Sequence, residues 1–427
     1  MFCYREKLGC AKAWSSFCEA KRRNEVETEP LAGYGRLFLA NEVCAQNKKL
    51  CIFKFSKKIC TKNLKKVLYF LLGMFFKEID KTPKKIINHN KINFGIFNST
   101  PKKIDISGVH APFTGFPLPS FITNTRIKSS VSFAFNLDEY IGLVDFCNLR
   151  FLGLAEVVFW NKKTDQKFSY HTILGPRRRF VPKNVVEAVC ASYRKSRFIK
   201  IFWSEKLNRI SLNFCVFGDN VRPSAKCVVH ADYNQKNQHQ ILSVSPAPTE
   251  RRCSASWFVP FIGTGGLKIE KNKKDLNWVE ENPALGLLML NRVYSSFRTT
   301  AETAFSVFEN KTNKIMFHFA NYDYDALDSD KYNDNFLFVD DEVTLLPSVV
   351  ISHSFGINEN WVIQDTENMV DLVFVPKSRE THSTNFIFAK NQYDLIYGKF
   401  EGYIISKNET KIQINSCGFV KKNLLRS

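Results

Sequence analysis

From Pro112 to the end of the chain, apolar residues recur at alternate positions in short runs, and this period constrains the fold more than any other feature. Val131, Phe133 and Phe135 share one strand face, with Ser132 and Ala134 on the other; Leu212, Phe214 and Val216 stand likewise against Ser211, Asn213 and Cys215. Successive side chains of an extended chain point to opposite sides of the pleat, so alternation by two marks strands. Turn-forming residues separate the runs. Asn161-Lys162-Lys163-Thr164-Asp165 links Phe151–Trp160 to Phe168–Ile173 as a hairpin, and Lys407-Asn408-Glu409 links Tyr397–Ile405 to Lys411–Asn415. Further strands are expected at Phe198–Trp203, Cys227–Asp232, Ala304–Glu309, Ile315–Ala320 and Phe336–Val339. The best helical window, Asn184–Ala191, carries Val185, Val186 and Val189, whose branching at Cβ favours strands. Many short strands with little helix predict an all-β protein of antiparallel barrels or sandwiches.

The 427 residues, 44% of them hydrophobic, suffice for more than one core. Pro246 and Pro248 suggest a boundary, giving a first β-domain over 110–248 and a second over 249–427. Residues 1–109 read differently, as a basic N-terminal region with flexible stretches and a short apolar helix at 64–77. The chain carries a net charge of +20, yet fifteen lysines between Lys48 and Lys103 face only Glu78 and Asp80. The charge therefore belongs to one stretch. It reads first as a solvated tail, with an anionic membrane surface as the alternative partner of Lys48 to Lys103, and nucleic acid is not expected.

Val67–Phe76 lies between Lys65, Lys66 and Lys77 and falls short of the roughly 20 apolar residues that span a bilayer. Twelve cysteines include no Cys-x-x-Cys, and the start lacks the apolar core of a signal peptide, so reduced thiols and a cytoplasmic protein, with a membrane-peripheral alternative, are expected. No cofactor or metal is expected. The acidic run Tyr322–Asp330 lacks the glycine and terminal glutamate of a calcium loop, and the eight histidines show no His-x-x-x-His. Arg177-Arg178-Arg179 reads as a solvated loop.

The stretch Ser256–Ser306 is where a site is expected. Gly263-Thr264-Gly265-Gly266 and Asn282-Pro283 read as turns ahead of the apolar run Leu287–Leu290, which breaks into Asn291-Arg292-Val293-Tyr294 and then Phe297-Arg298. A buried strand delivering guanidinium and aromatic groups to an opening suits an amphipathic ligand. Trp257, Arg292, Tyr294, Phe297 and Arg298 are the candidate ligand-binding residues.

Arg126-Ile127-Lys128, the segment Gly142–Ala155, and Tyr397-Gly398-Lys399-Phe400-Glu401-Gly402 with Gly418-Phe419 resemble the family known as domain of unknown function 2804, over residues 112–427. The resemblance implies tandem lipocalin-like β-domains similar to hydroxyneurosporene synthase-type proteins, which include hydratases and cyclases of apolar polyenes. The family's Asp-Trp-Gly-Arg-Gly motif falls on Leu288–Val293, where only Arg292 matches; its Thr-Glu-Asn segment falls on Asn333-Asp334-Asn335, where Asn335 is kept and joins the candidate ligand-binding residues. The first expectation is binding of an apolar or amphipathic small molecule, such as a lipid or isoprenoid, inside a barrel or between the two domains. The alternative is a hydratase or cyclase, whose proton donor would be His318, Asp323 or Asp334. A second alternative is a basic membrane- or nucleic-acid-associated protein.

Overall fold

The computed structural model describes residues 77–109, 119–149, 152–175, 180–233, 239–270, 280–310, 313–322, 328–386 and 389–426. The apolar helix expected at 64–77, the Arg177–Arg179 triplet and Asp323 therefore fall wholly or almost wholly outside the described residues.

In chain order the strands are β1 (Ile87–Asn88), β2 (Lys91–Ile92), β3 (Gly95–Phe97), β4 (Ile127–Asn136), β5 (Tyr140–Asn148), β6 (Gly153–Asn161), β7 (Lys167–Leu174) and β8 (Glu187–Arg194). They continue as β9 (Arg197–Ser204), β10 (Arg209–Val216), β11 (Ser224–Asp232), β12 (Ile241–Pro246), β13 (Cys253–Glu270) and β14 (Asn282–Tyr294). The last nine are β15 (Arg298–Glu309), β16 (Lys314–Tyr322), β17 (Phe336–Val339), β18 (Glu342–Leu345), β19 (Val349–Ser352), β20 (Trp361–Asp365), β21 (Val370–Phe386), β22 (Ala389–Ile405) and β23 (Lys411–Arg426). The helical window at Asn184–Ala191 is instead the start of β8, as its β-branched residues prefer. No helix among the described residues is long and apolar enough to cross a membrane.

Two strongly curled antiparallel half-barrel sheets result. The first runs β7-β6-β5-β4-β14-β13-β11-β10-β9-β8, with β12 and β3 paired onto β13; the second runs β18-β17-β16-β15-β23-β22-β21-β20-β19. The curl follows from side-chain contacts: Phe159 of β6 stacks 6.1 Å from Phe214 of β10, across the sheet rather than along it. The concave side of the first sheet is filled by Phe133, Phe146, Trp203, Trp257 and Tyr233, all under 2% exposed. Phe317, Trp361, Phe374 and Phe400 fill the second in the same way.

β13 and β14 form the spine of the first sheet. β13 pairs with β14 over Ser254–Gly265, while its other edge takes β12 at Cys253–Phe258 and then β11 at Gly263–Glu270. Gly263 and Gly265, read from sequence as a turn, are thus extended residues inside a strand. Their use is close approach: a Cβ at Gly263 would lie 2.1 Å from the His230 carbonyl oxygen. Asn282-Pro283 likewise opens β14 rather than forming a turn. The chain changes sheet between Tyr294 and Arg298, well after the Pro246–Pro248 break at which the sequence suggests a boundary.

The basic region also contributes to the fold. β3 pairs with β12, and Ile86, Phe97, Ile104 and Ile106 are buried in the first core.

The two sheets pack through their outer faces. Ala134, Leu143, Val158, Trp160 and Met289 of the first meet Phe305, Phe336, Leu395, Tyr397 and Phe419 of the second in a shared core. Trp160 stacks 5.2 Å from Tyr397, and Phe258 lies 4.7 Å from Phe336. Strands such as β4 and β14 are therefore apolar on both faces, one turned to the shell interior and one to the partner sheet.

Among the described residues no strand pairs with the outer edge of β7, which ends the first sheet. Arg194, Arg197 and Arg222 instead donate to the carbonyl oxygens of Ile173, His171 and Ser169, every second residue of its rim.

Candidate functional site

The shared core is not uniformly apolar. A cleft of about 140 Å³ opens between the outer faces, walled by residues of six strands, among them Leu143 and Cys147 of β5. β4 gives Ser130 and Ser132, β14 gives Met289 and Asn291, β15 gives Ala301 and Thr303, β16 gives His318 and Tyr322, and β23 gives Lys421 and Asn423. Period two explains the set: only residues of one parity on each strand face the neighbouring sheet.

The wall mixes apolar surface with fixed polar groups. Lys421 Nζ reaches across the seam to Asp145 Oδ2 at 2.5 Å, and Ser132 Oγ donates to Asp145 Oδ1 at 3.0 Å. Asn291 Oδ1 accepts from Ser256 Oγ. The Asn423 side-chain oxygen is buried with no hydrogen-bond partner among the described residues. A buried acceptor left in that state costs about 1–3 kcal/mol, which a donor brought by a ligand would recover.

His318 stands at the inner end, its ring 4.6 Å from Phe258 and 5.6 Å from Phe336. Its Nδ1 lies 2.8 Å from the Asp334 carbonyl oxygen, which can only accept, so Nδ1 carries the proton and Nε2 keeps a lone pair. Burial pushes the His318 pKa down and keeps the ring neutral. Tyr322 donates its hydroxyl to Asp334 Oδ2 at 2.9 Å, while Asp334 Oδ1 has no partner among the described residues.

The other candidates from sequence lie elsewhere. Arg292 turns into the first shell and donates to the Val181 and Pro182 carbonyls at 3.0 and 2.6 Å. Tyr294, two residues on and of the same parity, is buried beneath the Arg252 guanidinium. Trp257 is in the first core, its indole N–H donating to Gln240 Oε1 at 2.9 Å. Phe297 is 56% exposed under Arg426, and Arg298 is an exposed residue at the start of β15. Asn335 is buried, receiving the Ala320 N–H and donating to the Pro347 carbonyl. Of the basic stretch, Lys77 is held by Asn333 at 2.6 Å. Only His318 and, behind it, Asp334 are brought together at the cleft.

A second polar group along the same seam was not legible as a site. Glu156 of β6 and His171 of β7 face Glu380 and His382 of β21, with one ligand-type atom from each lying within 4.8 Å of the others. His382 Nε2 is 2.8 Å from Glu156 Oε1 and 3.4 Å from Glu380 Oε1. His171 Nδ1 is 3.2 Å from Glu156 Oε1, and its Nε2 is 3.2 Å from Glu380 Oε1. Burial works against charge here, yet the two imidazoles hold Glu156 below the ordinary carboxylate range, and His171 with Lys167 holds Glu380 at about 2. His171 is in turn raised to about 9, its two carboxylate neighbours outweighing burial.

The family described as "Domain of unknown function (DUF2804)" matches residues 81–426. No curated protein sequence matches the chain. Among solved structures, the crystal structure of kievitone hydratase from Nectria haematococca matches with a TM-score of 0.41 and 10% sequence identity, over 79% of this chain and 99% of that one. At that level no residue role is carried across.

Proposed function

The chain belongs to the DUF2804 family, and from that premise we propose that it binds a small amphipathic molecule in the cleft between its two β-shells. The observation that carries the reading is the pairing of the Asn423 oxygen, buried and unpartnered among the described residues, with an adjoining apolar wall of Met289 and Phe305. The shell interiors are the less suitable place, being filled by their own aromatic side chains. Size narrows the class. A buried cavity of about 150 Å³ takes a single benzene ring, so a cleft of about 140 Å³ suits a one-ring molecule bearing a hydroxyl or N–H donor.

Fluorine NMR of para-fluorophenol tests this with the full chain. The wild type should broaden the probe signal saturably, Ser130→Phe should abolish the effect by filling the cleft, and Asn423→Leu should weaken it. Equal broadening by wild type and Ser130→Phe would exclude the cleft.

A second reading, addition or removal of water on such a molecule, is favoured by His318. Its committed Nδ1 leaves a neutral Nε2 able to take a proton from water or substrate on an aromatic-lined wall. His318→Gln should then leave probe binding within about 3-fold of wild type and abolish turnover of whatever molecule copurifies in native mass spectrometry; unchanged turnover rejects this role.

A further inference from the structure

The geometry points to a divalent-cation site, of the zinc class, formed by Glu156, His171, Glu380 and His382 and joining the two β-shells. Two imidazole nitrogens and two carboxylate oxygens are a donor set for a borderline first-row ion, and zinc takes four such ligands tetrahedrally. Bonds of about 2.0–2.2 Å place the corners of that tetrahedron roughly 3.4 Å apart. His382 Nε2 lies 2.8 and 3.4 Å from the Glu156 and Glu380 oxygens, while His171 lies 3.2 Å from each carboxylate through different ring nitrogens, of which one ion takes one. One ligand atom from each of the four residues lies within 4.8 Å of the others, so side-chain rotation that draws them in to about 3.4 Å lets one ion sit among all four.

The surroundings support the ligands as well. Lys167 Nζ holds Glu380 Oε2 at 2.6 Å, leaving Oε1 turned to the histidines. Ser169 Oγ lies 2.8 Å from His171 Nε2 and 3.0 Å from Glu380 Oε1, so with Nδ1 on the ion, Nε2 keeps the Ser169 hydroxyl as its oxygen partner. An independent sign comes from Tyr393. Its ring stacks 6.0 Å from that of His382, and its buried hydroxyl has no hydrogen-bond partner among the described residues. A water held by a ligand carboxylate, outside the ion's four-coordinate shell, would be a partner of the right kind.

Two ligands come from the first sheet and two from the second, so the ion would act as a clamp across the seam. Local spacing favours this: Lys167, Ser169 and His171 alternate along one face of β7, and Glu380 and His382 along one face of β21.

The test uses the full chain stripped with a chelator and titrated with zinc in a calorimeter. One ion per chain is expected, with Glu156→Gln and His382→Gln each weakening binding by about 100-fold or more, beyond the loss typical of a group that only orients a ligand. His230→Gln, altering the separate His230–Glu281 pair, should leave it unchanged. Cobalt bound to the wild type gives a readout free of any variant's folding: intense visible bands are expected for four nitrogen and oxygen ligands. No stoichiometric zinc uptake, weak six-coordinate cobalt bands, or undiminished binding by folded Glu156→Gln and His382→Gln would overturn the assignment.

Discussion

Replacing Lys421 by Met removes the charge that meets Asp145 across the seam, and the cost follows from the geometry. The two side chains are 19% and 9% exposed with Nζ and Oδ2 2.5 Å apart, so neither partner is well hydrated. Without the ammonium, Asp145 keeps the Ser132 hydroxyl as its remaining side-chain hydrogen bond. Removing one member of a buried pair costs about 3–5 kcal/mol, because the other is left as a buried unpaired charge. Loss of the Lys421 cation from above the Tyr393 ring, 4.9 Å away, adds about 0.5–1 kcal/mol. The compact unit that holds both sheets spans Phe75–Ser427, roughly 350 residues, for which the unfolding entropy is about 0.7 kcal/mol/K. A loss of about 4 kcal/mol thus lowers Tm by about 5 to 6 °C. The assay is a double-mutant cycle by urea denaturation, followed through tryptophan fluorescence. Asp145→Asn/Lys421→Met should recover most of the loss, because neither charge remains, giving a coupling of about 3 kcal/mol. If Lys421→Met costs under about 1 kcal/mol, or the two substitutions simply add, the pair is not the buried interaction described.

Three further outcomes are expected. Trp160→Ala, which empties the stack against Tyr397 and Phe419, should cost about 3–5 kcal/mol and split urea unfolding into two steps; a single unshifted transition argues against the shared core. Arg292→Ala should cost about 1.5–3 kcal/mol from its lost carbonyl bonds while leaving probe binding unchanged, and weakened binding in a fully folded variant would return Arg292 to the site. Burial pulls Lys421 down, but the Asp145 charge and hydrogen bond outweigh it and hold its pKa above the ordinary lysine value. Its stabilisation is therefore whole below about pH 10.4 and is lost as pH rises through the raised folded value. The stability difference between wild type and Lys421→Met should stay level from about pH 7 to about pH 9, and a difference that shrinks over that range contradicts the sign.

Strand content was legible because alternation is a local property: the β6–β7 and β22–β23 hairpins follow directly from it. Which sheet a strand joins is not local. Gly263 and Gly265 read as a turn because glycine serves both tight turns and close strand approach, and only the position of β11 decides between them. Parity explains the divided site. On β14 the conspicuous Arg292 and Tyr294 face inward, whereas Met289 and Asn291, which look like ordinary strand residues, face the cleft. A one-residue choice of face inverts every such assignment, and both faces of β14 are buried, so hydrophobicity does not settle it. The His/Glu cluster was less legible still, with ligands drawn from three strands of two sheets. Glu380-x-His382 was its one compact sequence trace.

The three arginines along β7 bear on how copies of this protein meet. An open strand rim normally invites a neighbouring chain to dock by extending the sheet. Here the outward carbonyls of Ser169, His171 and Ile173 are already occupied, and three positive charges sit where an incoming backbone would lie. Sheet-extending self-association through that margin is disfavoured, which turns any homomeric contact of this kind toward the other sheet ends, β8 of the same shell and β18 and β19 of the other.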